Sequence, residues 1–464
     1  MEYEINFYRI KKITQTSNLI TNDIGRFIYI NTQELDYLKK KQISKLSKIT
    51  KFKLEKNNFI IEKNNSEKNN QYNNILKKKC SFLNSGPSLH IIITTLRCDQ
   101  KCIYCHASSK NCSEKKYDMT FEIADKVIEK ILESNTNNLN IEFQGGEPTL
   151  NFDIIKYFVK QINKQKKQKN VLFSIVSNFT IMTEDIMDFI LENKFGICTS
   201  LDGPKELHNY NRKEYEKTIF WIEKINNEIK KNDLDLKISA SLTITKESLK
   251  FPKEIIDEYI KNNFLYIHLR PLKKLGFAKN KDEIYYSIEE FIEFWKKTMD
   301  YILEINKNKK LIERETYYML KKIFDSYEPN YLELRSPCGA ISGQLLYNYD
   351  GNIYSCDEGR MLNDDTFLVG NVNKKINKII TCDKSLAIIS SSINDSEFCN
   401  MCAYKPYCGL CPVINYAEFG TILGRISESD WCKLHKAQFD YIFDKLKIPT
   451  YKNILLSWIS EDFL

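Results

Sequence analysis

Residues 94–110, TTLRCDQKCIYCHASSK, decide the fold prediction, because they bring three cysteines into one loop directly after an apolar run. Cys98, Cys102 and Cys105 have the spacing C-x3-C-x2-C. Three thiolates can hold three irons of a cubane iron-sulfur cluster, and the fourth iron is then open to another ligand. A metal site that does chemistry keeps such a position open, whereas a structural site fills it with a protein ligand. The spacing therefore indicates a reactive cluster.

Composition limits the class of protein. The 464 residues are 42% hydrophobic, which predicts a buried core and room for two or three domains. The net charge of +8 is the small excess of 69 basic over 61 acidic residues, and both signs are interspersed, which favours a solvated surface over a nucleic-acid binding face. No apolar run is long enough to span a bilayer, and the first residues show no secretory apolar region. We expect a cytoplasmic protein that binds neither nucleic acid nor membrane.

Eleven of the fourteen cysteines lie in residues 98–112, in the pair Cys338 and Cys356, and in residues 399–432. The cytosol keeps thiols reduced, so we expect no disulfide framework. Clustered cysteines are typical of metal sites. The cysteines interpreted as ordinary buried or surface thiols are Cys80, Cys112, Cys198 and Cys382.

Changes of pattern along the chain predict four parts. Residues 1–60 show three short strands and then a helix that starts at Thr32, and residues 61–84 are a polar, Asn-rich linker. Residues 85–330 alternate strand and helix patterns. Residues 331–464 form a cysteine-rich domain that begins with an Asp-Gly hairpin and ends with an amphipathic helix.

Six strand patterns alternate with helical patterns in residues 85–330. This alternation predicts an α/β fold with a parallel sheet and right-handed crossovers, curled into a partial (β/α)6 barrel that resembles a TIM barrel. The carboxyl ends of parallel strands meet at one rim, where the chemistry of such folds gathers. The first four strands are followed by the cysteine loop, QGGEP, SN and LDGP. We therefore expect four polar or glycine-rich motifs at that rim.

The cysteine loop resembles that of the radical S-adenosylmethionine (SAM) superfamily, which has an aromatic residue, here Tyr104, before the last cysteine. The second motif of that superfamily is Gly-Gly-Glu after the second strand, here Gly145, Gly146 and Glu147. The resemblance implies that SAM chelates the open iron through its amino and carboxylate groups. It also implies that the glycines let the backbone approach the cofactor, and that Glu147 accepts a hydrogen bond from its ammonium group.

Two further rim positions resemble that superfamily. The resemblance implies that Ser177 and Asn178, after the third strand, contact the ribose of SAM, and a helix cap or turn is the alternative. The sequence SLDGPKELHNYNR after the fourth strand resembles a motif of peptide-modifying members. This implies that Arg212 reaches the carboxylate of SAM, and a surface ion pair is the alternative.

The C-terminal cysteines resemble the seven-cysteine SPASM domain of peptide-maturing radical enzymes, which carries auxiliary 4Fe-4S clusters. The resemblance implies one cluster on Cys399, Cys402, Cys408 and Cys432. It implies a second cluster on Cys338, Cys356 and Cys411. Two residues separate Cys408 from Cys411, where the best-known SPASM pattern has three. No fourth cysteine for the second cluster lies between Cys338 and Cys356. Three alternatives stay open for that site: an open iron that binds substrate, a non-cysteine ligand, or no cluster.

Two other interpretations concern these cysteine-rich places. Asp357 stands where sulfatase-maturing relatives have an aspartate that acts as a base on the substrate, which implies the same role here. Zinc is the alternative metal. In the first loop it would take Cys112 or His106 as a fourth ligand. In the C-terminal region a zinc ribbon would use Cys399, Cys402, Cys408 and Cys411.

Several stretches, among them NLITNDIGRFIYIN and EFQGGEP, resemble a maturase of the His-Xaa-Ser peptide system. The resemblance implies an enzyme whose 5'-deoxyadenosyl radical takes hydrogen from a ribosomally made precursor peptide, which is then crosslinked or oxidised. Its partners would be that peptide, an electron donor such as flavodoxin or ferredoxin, and a second maturase. Residues 1–60 resemble an element that recognises a leader peptide by adding a strand to a sheet edge, and a structural cap on the barrel is the alternative.

Three other functions stay open. A sulfatase-type maturase would oxidise one Cys or Ser to formylglycine without a crosslink. A zinc-bound scaffold would bind peptide without turnover. An RNA-modifying radical enzyme is disfavoured, because the sequence shows neither an added RNA-binding domain nor a concentrated basic stripe.

Overall fold

The computed structural model of the protein describes residues 2–63 and 66–460, apart from the side chain of Ser66. The predicted N-terminal domain, linker and C-terminal domain also include residues 1, 64–65 and 461–464, which lie outside the described residues. Within the described part, no helix is both long enough and apolar enough to cross a membrane.

The strands are β1 (Tyr3–Ile5), β2 (Tyr8–Lys12), β3 (Ser17–Asn22), β4 (Phe27–Asn31), β5 (Ile60–Glu62), β6 (Leu89–Thr95), β7 (Arg97–Cys98), β8 (Lys110–Asn111), β9 (Asn138–Gly145), β10 (Asn170–Val176), β11 (Gly196–Ser200), β12 (Ile238–Ile244), β13 (Tyr266–Ile267), β14 (Leu269–Pro271), β15 (Ile312–Glu313), β16 (Gln344–Tyr347), β17 (Asn352–Tyr354) and β18 (Leu368–Asn371). The α-helices are α1 (Thr32–Lys39), α2 (Lys48–Lys56), α3 (Ser66–Lys79), α4 (Phe121–Leu132), α5 (Phe152–Gln165), α6 (Glu184–Glu192), α7 (Lys205–Asn211), α8 (Tyr215–Lys231), α9 (Pro252–Lys261), α10 (Ile288–Ile305), α11 (Arg314–Phe324), α12 (Asp357–Met361), α13 (Ile376–Ile380), α14 (Asp383–Ser391), α15 (Glu397–Met401), α16 (Pro412–Phe419), α17 (Asp430–Lys445) and α18 (Pro449–Ile459).

The central sheet has the strand order β14-β12-β11-β10-β9-β6-β16-β17-β18. The six strands from β6 to β14 in this order are parallel neighbours, which confirms the predicted α/β core of a partial barrel. Strand β6 is buried along nearly its whole length, as expected for a parallel strand covered on both faces. Amphipathic helices such as α4, which Thr120 caps, and α6, which Thr183 caps, pack their apolar side chains into the same core.

The cysteine-rich region continues this sheet. Strand β16 pairs in parallel with β6, and β17 and β18 follow as antiparallel strands. The turn between β16 and β17 contains Asp350 and Gly351, as predicted. The hairpin covers an edge of β6 that would otherwise be unpaired. The predicted boundary at residue 330 therefore falls between strands of one sheet, and the last predicted barrel strand is divided into β13 and β14.

The segment predicted as a linker contains helix α3, which the sequence did not predict. Most of the described residues of α3 are exposed. Its Lys, Gln and Leu residues are good helix formers. An exposed helix buries no apolar stripe, and the sequence therefore shows no helical period to detect.

The N-terminal region forms the sheet β2-β3-β4, with α1 after it as predicted. This sheet contacts the cysteine-rich region through buried polar groups. The Thr21 hydroxyl donates to Ala403 O at 2.7 Å, and the Tyr407 hydroxyl donates to Gly25 O at 2.9 Å. The N-terminal sheet therefore lies against the segment between the C-terminal cysteines.

Candidate functional site

The three cysteines of the first loop lie where β6 ends. Cys98 belongs to β7, and the other two follow in a turn. Backbone hydrogen bonds hold the loop: Ile103 N donates to Asn211 O at 2.9 Å, and Phe277 N donates to Cys105 O at 2.9 Å. Burial raises the pKa of Cys102 to about 11, so this thiol stays protonated at neutral pH unless a metal displaces its proton.

The spacing of these thiols fits a cluster better than a single ion. Sulfur atoms around one tetrahedral zinc ion, with bonds of about 2.3 Å, lie about 3.8 Å apart. Among the described residues, the one group of metal-ligating side chains whose ligand atoms all lie within 4.8 Å of one another is Cys356, Asp357 and Glu358. The three loop cysteines form no such group, so at least two of their sulfur atoms lie farther apart than 4.8 Å. His106 Nε2 lies 3.1 Å from Lys273 O, and His106 belongs to no group of three such ligands among the described residues.

Gly145 and Gly146 are explained by a close approach of two backbone segments. A β-carbon at Gly145 would lie 2.1 Å from Thr95 O, and one at Gly146 would lie 2.3 Å from Arg97 O. Gly146 N donates to Thr95 O at 2.9 Å, and Glu147 N donates to Arg97 O at 2.7 Å. The turn after β9 is thus joined to the start of the cysteine loop, and the glycines set the position of Glu147 relative to that loop.

Glu147 is fully buried and accepts hydrogen bonds from three residues. Its Oε1 accepts from Thr149 Oγ1 at 2.6 Å and from Ser177 Oγ at 2.9 Å, and its Oε2 accepts from Asn178 N at 2.8 Å. Burial raises the pKa of Glu147 despite these bonds. Ser177 therefore orients Glu147, while Oε2 keeps acceptor capacity for a further donor such as an ammonium group. The Asn178 side chain donates to Asp99 Oδ1 at 2.9 Å, which ties the end of β10 to the same loop.

Arg212 lies beside Cys102 and is held by a buried carboxylate. Asp202, which is fully buried, accepts from Arg212 Nε at 3.1 Å and from the Tyr104 hydroxyl at 2.5 Å. The guanidinium lies over the Tyr104 ring, 5.1 Å from its centroid, and its Nη1 is 3.9 Å from Cys102 Sγ. The pair is buried, so Arg212 is not a surface ion pair. It is a cation fixed next to the thiols, suited to an anionic group bound there.

One group of C-terminal cysteines surrounds Cys408. Burial, and then the neighbouring thiols of Cys402, Cys432 and Cys399, raise the pKa of Cys408 well above its ordinary value. These four are the residues that the resemblance assigned to one auxiliary cluster. His435 Nδ1 lies 3.5 Å from Cys408 Sγ.

The other group surrounds a buried carboxylate. Burial, and then Glu358 and Cys338, raise the pKa of Cys411. Burial, Glu358, Asp357, Cys411 and Cys338 raise the pKa of Cys356. Since Cys411 lies with this group, the cysteines are not arranged as the zinc ribbon alternative requires.

Helix α12, which begins directly after Cys356, connects the second group to the first loop. Arg360 Nη1 donates to Ala107 O at 3.2 Å, and Asn363 Nδ2 donates to Ser108 Oγ at 2.9 Å. Burial, and then the Glu358 carboxylate, raise the pKa of Asp357 to about 7. The Asp357 carboxylate lies within 4.8 Å of Cys356 Sγ.

Sequence analysis did not single out Asp202, Lys273 or Glu358. The LDGP motif was placed at the rim, so an aspartate after a strand was an available signal for Asp202. Lys273 forms a buried ion pair with Glu358, 85 residues further along the chain. No local pattern marks such a pair, because only the folded chain brings the two residues together.

The rim geometry and the cysteine sites define a class of enzyme, and residues 92–257 match the protein-family profile described as "Radical SAM superfamily". Residues 92–257 therefore form a radical SAM domain, and the protein is an enzyme. Enzymes of this superfamily use a 4Fe-4S cluster and SAM, and the donor set of three spaced thiols fits such a cluster.

Three known proteins resemble the chain over most of its length. It is 26% identical to the cysteine-type anaerobic sulfatase-maturating enzyme of Clostridium perfringens over 380 residues, which are 78% of this chain and 98% of the relative. It is 23% identical to the radical SAM cyclopropyl synthase TigE of Paramaledivibacter caminithermalis over 465 residues, covering 96% of this chain and 90% of the relative. The crystal structure of Streptococcus suis SuiB bound to precursor peptide SuiA has the same fold, with a TM-score of 0.55 and 16% identity over 92% of this chain and all of SuiB.

The substitution Asp202→Asn is expected to weaken SAM binding about tenfold or more. Removing the charge leaves the buried Arg212 guanidinium without its partner and loosens its position over Tyr104, and tenfold in affinity corresponds to about 1.4 kcal/mol. The measurement is anaerobic equilibrium binding of SAM to reconstituted enzyme. Asp188→Asn, at an exposed helical position, is the control. An unchanged dissociation constant at wild-type iron content would show that Arg212 does not hold the cofactor.

Proposed function

We propose that this enzyme is a SPASM-type maturase, which takes a hydrogen atom from one residue of a ribosomally made peptide, so that the peptide becomes crosslinked or oxidised. The observation that carries the proposal is the contact of α12 with the first cysteine loop. This contact joins the three-cysteine site around Cys356 to the loop of Cys98, Cys102 and Cys105. A substrate at the barrel mouth would then lie between a radical source and an electron acceptor.

The residues of the rim have distinct tasks in this proposal. SAM on a cluster held by Cys98, Cys102 and Cys105 supplies a 5'-deoxyadenosyl radical when it receives one electron. Arg212 and Tyr104 hold the carboxylate end of SAM, and Glu147 accepts from its amino group. Ser177 and Asn178 hold Glu147 and the first cysteine loop in position. Their contact with the ribose of SAM stays a prediction.

The inner face of the sheet is polar, which suits a peptide. On β9, Leu139, Ile141 and Phe143 are buried in the apolar core, so the alternate residues face the opposite side. There Gln144 Nε2 donates to Glu142 Oε1 at 2.6 Å. Polar side chains of this kind can pair with the amide groups of a substrate backbone.

The experiment is anaerobic incubation of reconstituted enzyme with SAM, a reductant and candidate precursor peptides that carry deuterium on carbon. We expect deuterium in the 5'-deoxyadenosine and a peptide that has lost two hydrogens without losing sulfur. After hydrogen removal the peptide radical would lose one proton to solvent and one electron to an auxiliary cluster. The cluster would pass this electron to the oxidised form of the flavodoxin- or ferredoxin-type protein. Deuterium-free 5'-deoxyadenosine with every peptide, from enzyme of full iron content, would contradict the proposal.

A sulfatase-type reaction is the second candidate function, and Asp357 favours it. This carboxylate follows Cys356 directly, and one of its oxygens lies within 4.8 Å of Cys356 Sγ. The likeness to a sulfatase-maturating enzyme over 78% of the chain also supports it. In this reaction one Cys or Ser becomes formylglycine. A cysteine peptide would exchange its sulfur for an oxygen atom from water, so the mass of its product separates the two candidates. A serine peptide would lose two hydrogens in either reaction, and a hydrazide reagent that labels only an aldehyde separates the candidates there.

The N-terminal sheet is proposed to bind the leader of the peptide at β4. Strand β4 lies at the end of its sheet, with β3 as its strand partner. Helices α1 and α2 contact β4, and α2 exposes Ile49 by 69% and Phe52 by 62%. A terminal strand beside exposed apolar side chains is an arrangement in which a peptide can add as a strand.

The substitution Phe52→Asp is expected to weaken peptide binding by the whole enzyme about tenfold, because it places a charge among the exposed apolar side chains beside β4. Fluorescence anisotropy of a labelled precursor peptide measures the effect. Phe220→Asp is the matched control, since Phe220 is 55% exposed on α8, in the barrel part of the chain. Equal affinity of both variants would favour a structural role for the N-terminal sheet.

A further inference from the structure

The three-cysteine site has a fourth side chain of ligating chemistry. Cys338, Cys356 and Cys411 line one cavity, and the same cavity is lined by Glu358 and Lys273. Burial and the nearby Glu358 carboxylate raise the pKa of all three thiols, which places that carboxylate close to each of them. Thiols and a carboxylate that converge on one cavity form a donor set for a metal cluster.

Glu358 lies near the cysteine that precedes its own helix. A carboxylate oxygen of Glu358 lies within 4.8 Å of Cys356 Sγ. The short helix α12 determines this geometry, because Cys356 is its N-cap and accepts from Gly359 N at 3.3 Å through its sulfur. The side chain two residues after the cap is therefore turned toward the same cavity as the cysteine.

The ion pair with Lys273 keeps Glu358 in this position. Lys273 Nζ contacts Oε1, and both side chains are largely buried. The ammonium group also lies over the ring of Trp431, 5.6 Å from its centroid. This arrangement leaves Oε2 as the oxygen that can bind iron, while Lys273 balances the charge of the carboxylate.

We propose that Glu358 is the fourth protein ligand of the auxiliary cluster held by Cys338, Cys356 and Cys411. The inference rests on the proposed presence of that cluster and goes beyond the proposed reaction. A carboxylate oxygen can occupy the iron that lacks a thiolate, so the auxiliary cluster is closed to substrate. Its task is then electron transfer, and the peptide binds elsewhere at the barrel mouth.

The test uses full-length protein in which Cys98, Cys102 and Cys105 are alanine, so that only auxiliary clusters contribute to the spectra. In this background Glu358→Gln is compared with Glu358→Cys and with Glu333→Gln, a second carboxylate that lines the same cavity. After mild oxidation we expect Glu358→Gln to lose about one iron per chain and to give the EPR signal of a three-iron cluster, since its open iron is labile. Glu358→Cys should keep all its iron and lower the midpoint potential of one cluster, because a thiolate donates more electron density than a carboxylate.

Glu333→Gln should keep the parent's iron content, EPR spectrum and potential. The inference is overturned if Glu358→Gln also matches the parent, or if Glu333→Gln alone loses the iron. It is likewise overturned if Cys338→Ala leaves the iron content unchanged, because the site then holds no cluster. That outcome leaves the radical maturase proposal intact, since SAM cleavage by enzyme with the first cysteine loop unaltered tests it separately.

Discussion

Replacing Cys98, Cys102 and Cys105 together by alanine is expected to remove about four of about twelve irons per chain and to abolish 5'-deoxyadenosine formation. The three thiols come from one loop at the rim of the sheet, and the auxiliary cysteines form separate groups. The loss of one cluster should therefore leave the others loaded. Iron, acid-labile sulfide and 5'-deoxyadenosine are measured after anaerobic reconstitution, with dithionite as the reductant.

Cys112→Ala is the matched control for this triple variant. Cys112 is near in sequence, and its carbonyl oxygen, not its side chain, accepts from Arg97 Nη1 at 2.9 Å. The Cys112→Ala variant should keep wild-type iron and activity, whereas a zinc site that used this thiol would be damaged.

For the triple variant, a fall from about eight irons per chain to about four would mean that the Cys338 group is empty. Zinc without iron would contradict the assignment of this loop to a cluster.

The substitution Gly146→Ala is expected to destabilise the rim by about 3 kcal/mol and to reduce the iron held by the first loop. The added β-carbon would lie 2.3 Å from Arg97 O and 2.5 Å from Leu96 O, so backbone would have to move. The movement would separate Glu147 from the segment that leads into the cysteines. The melting temperature and the iron content of the reconstituted protein measure the two effects.

Gly196→Ala is the control glycine for this experiment. It begins β11, and its nearest contact to an added β-carbon would be Ser174 Cβ at 3.4 Å, an ordinary distance. We expect a change in stability within about 0.5 kcal/mol and full iron content. If Gly146→Ala behaved in the same way, the close packing of the turn against the loop would not govern cluster assembly.

The partial barrel could be predicted because its strands and helices carry strong local patterns. Strand β6 is a continuous apolar run, and α4 shows helical spacing after its cap Thr120. Helix α3 within the predicted linker could not be predicted, because an exposed helix carries no apolar stripe. The pairing of β16 with β6 was also beyond prediction, since a strand edge does not specify a partner more than 200 residues away in the sequence.

The candidate site also combines features that local sequence predicts with features that only the folded chain shows. Cys98, Cys102 and Cys105 are near neighbours in the sequence, so their spacing alone indicates three ligands in one loop. For Gly145 and Gly146, the sequence predicted only that they let the backbone approach the cofactor. The folded chain shows that these glycines admit the backbone of Thr95 and Arg97, a contact that depends on two strands lying side by side.

The sequence by itself determined the parallel α/β core, the three-cysteine loop and the concentration of further thiols near the C-terminus. Each of these features depends on residues that lie a few positions apart in the chain. Only the tertiary structure decided that Asp202 holds Arg212 beside Cys102, and that Glu358 shares a cavity with Cys338 and Cys411. These contacts join side chains from separate elements. Their partners are selected by packing and by the high cost of burying an unpaired charge, and neither acts until the chain has folded.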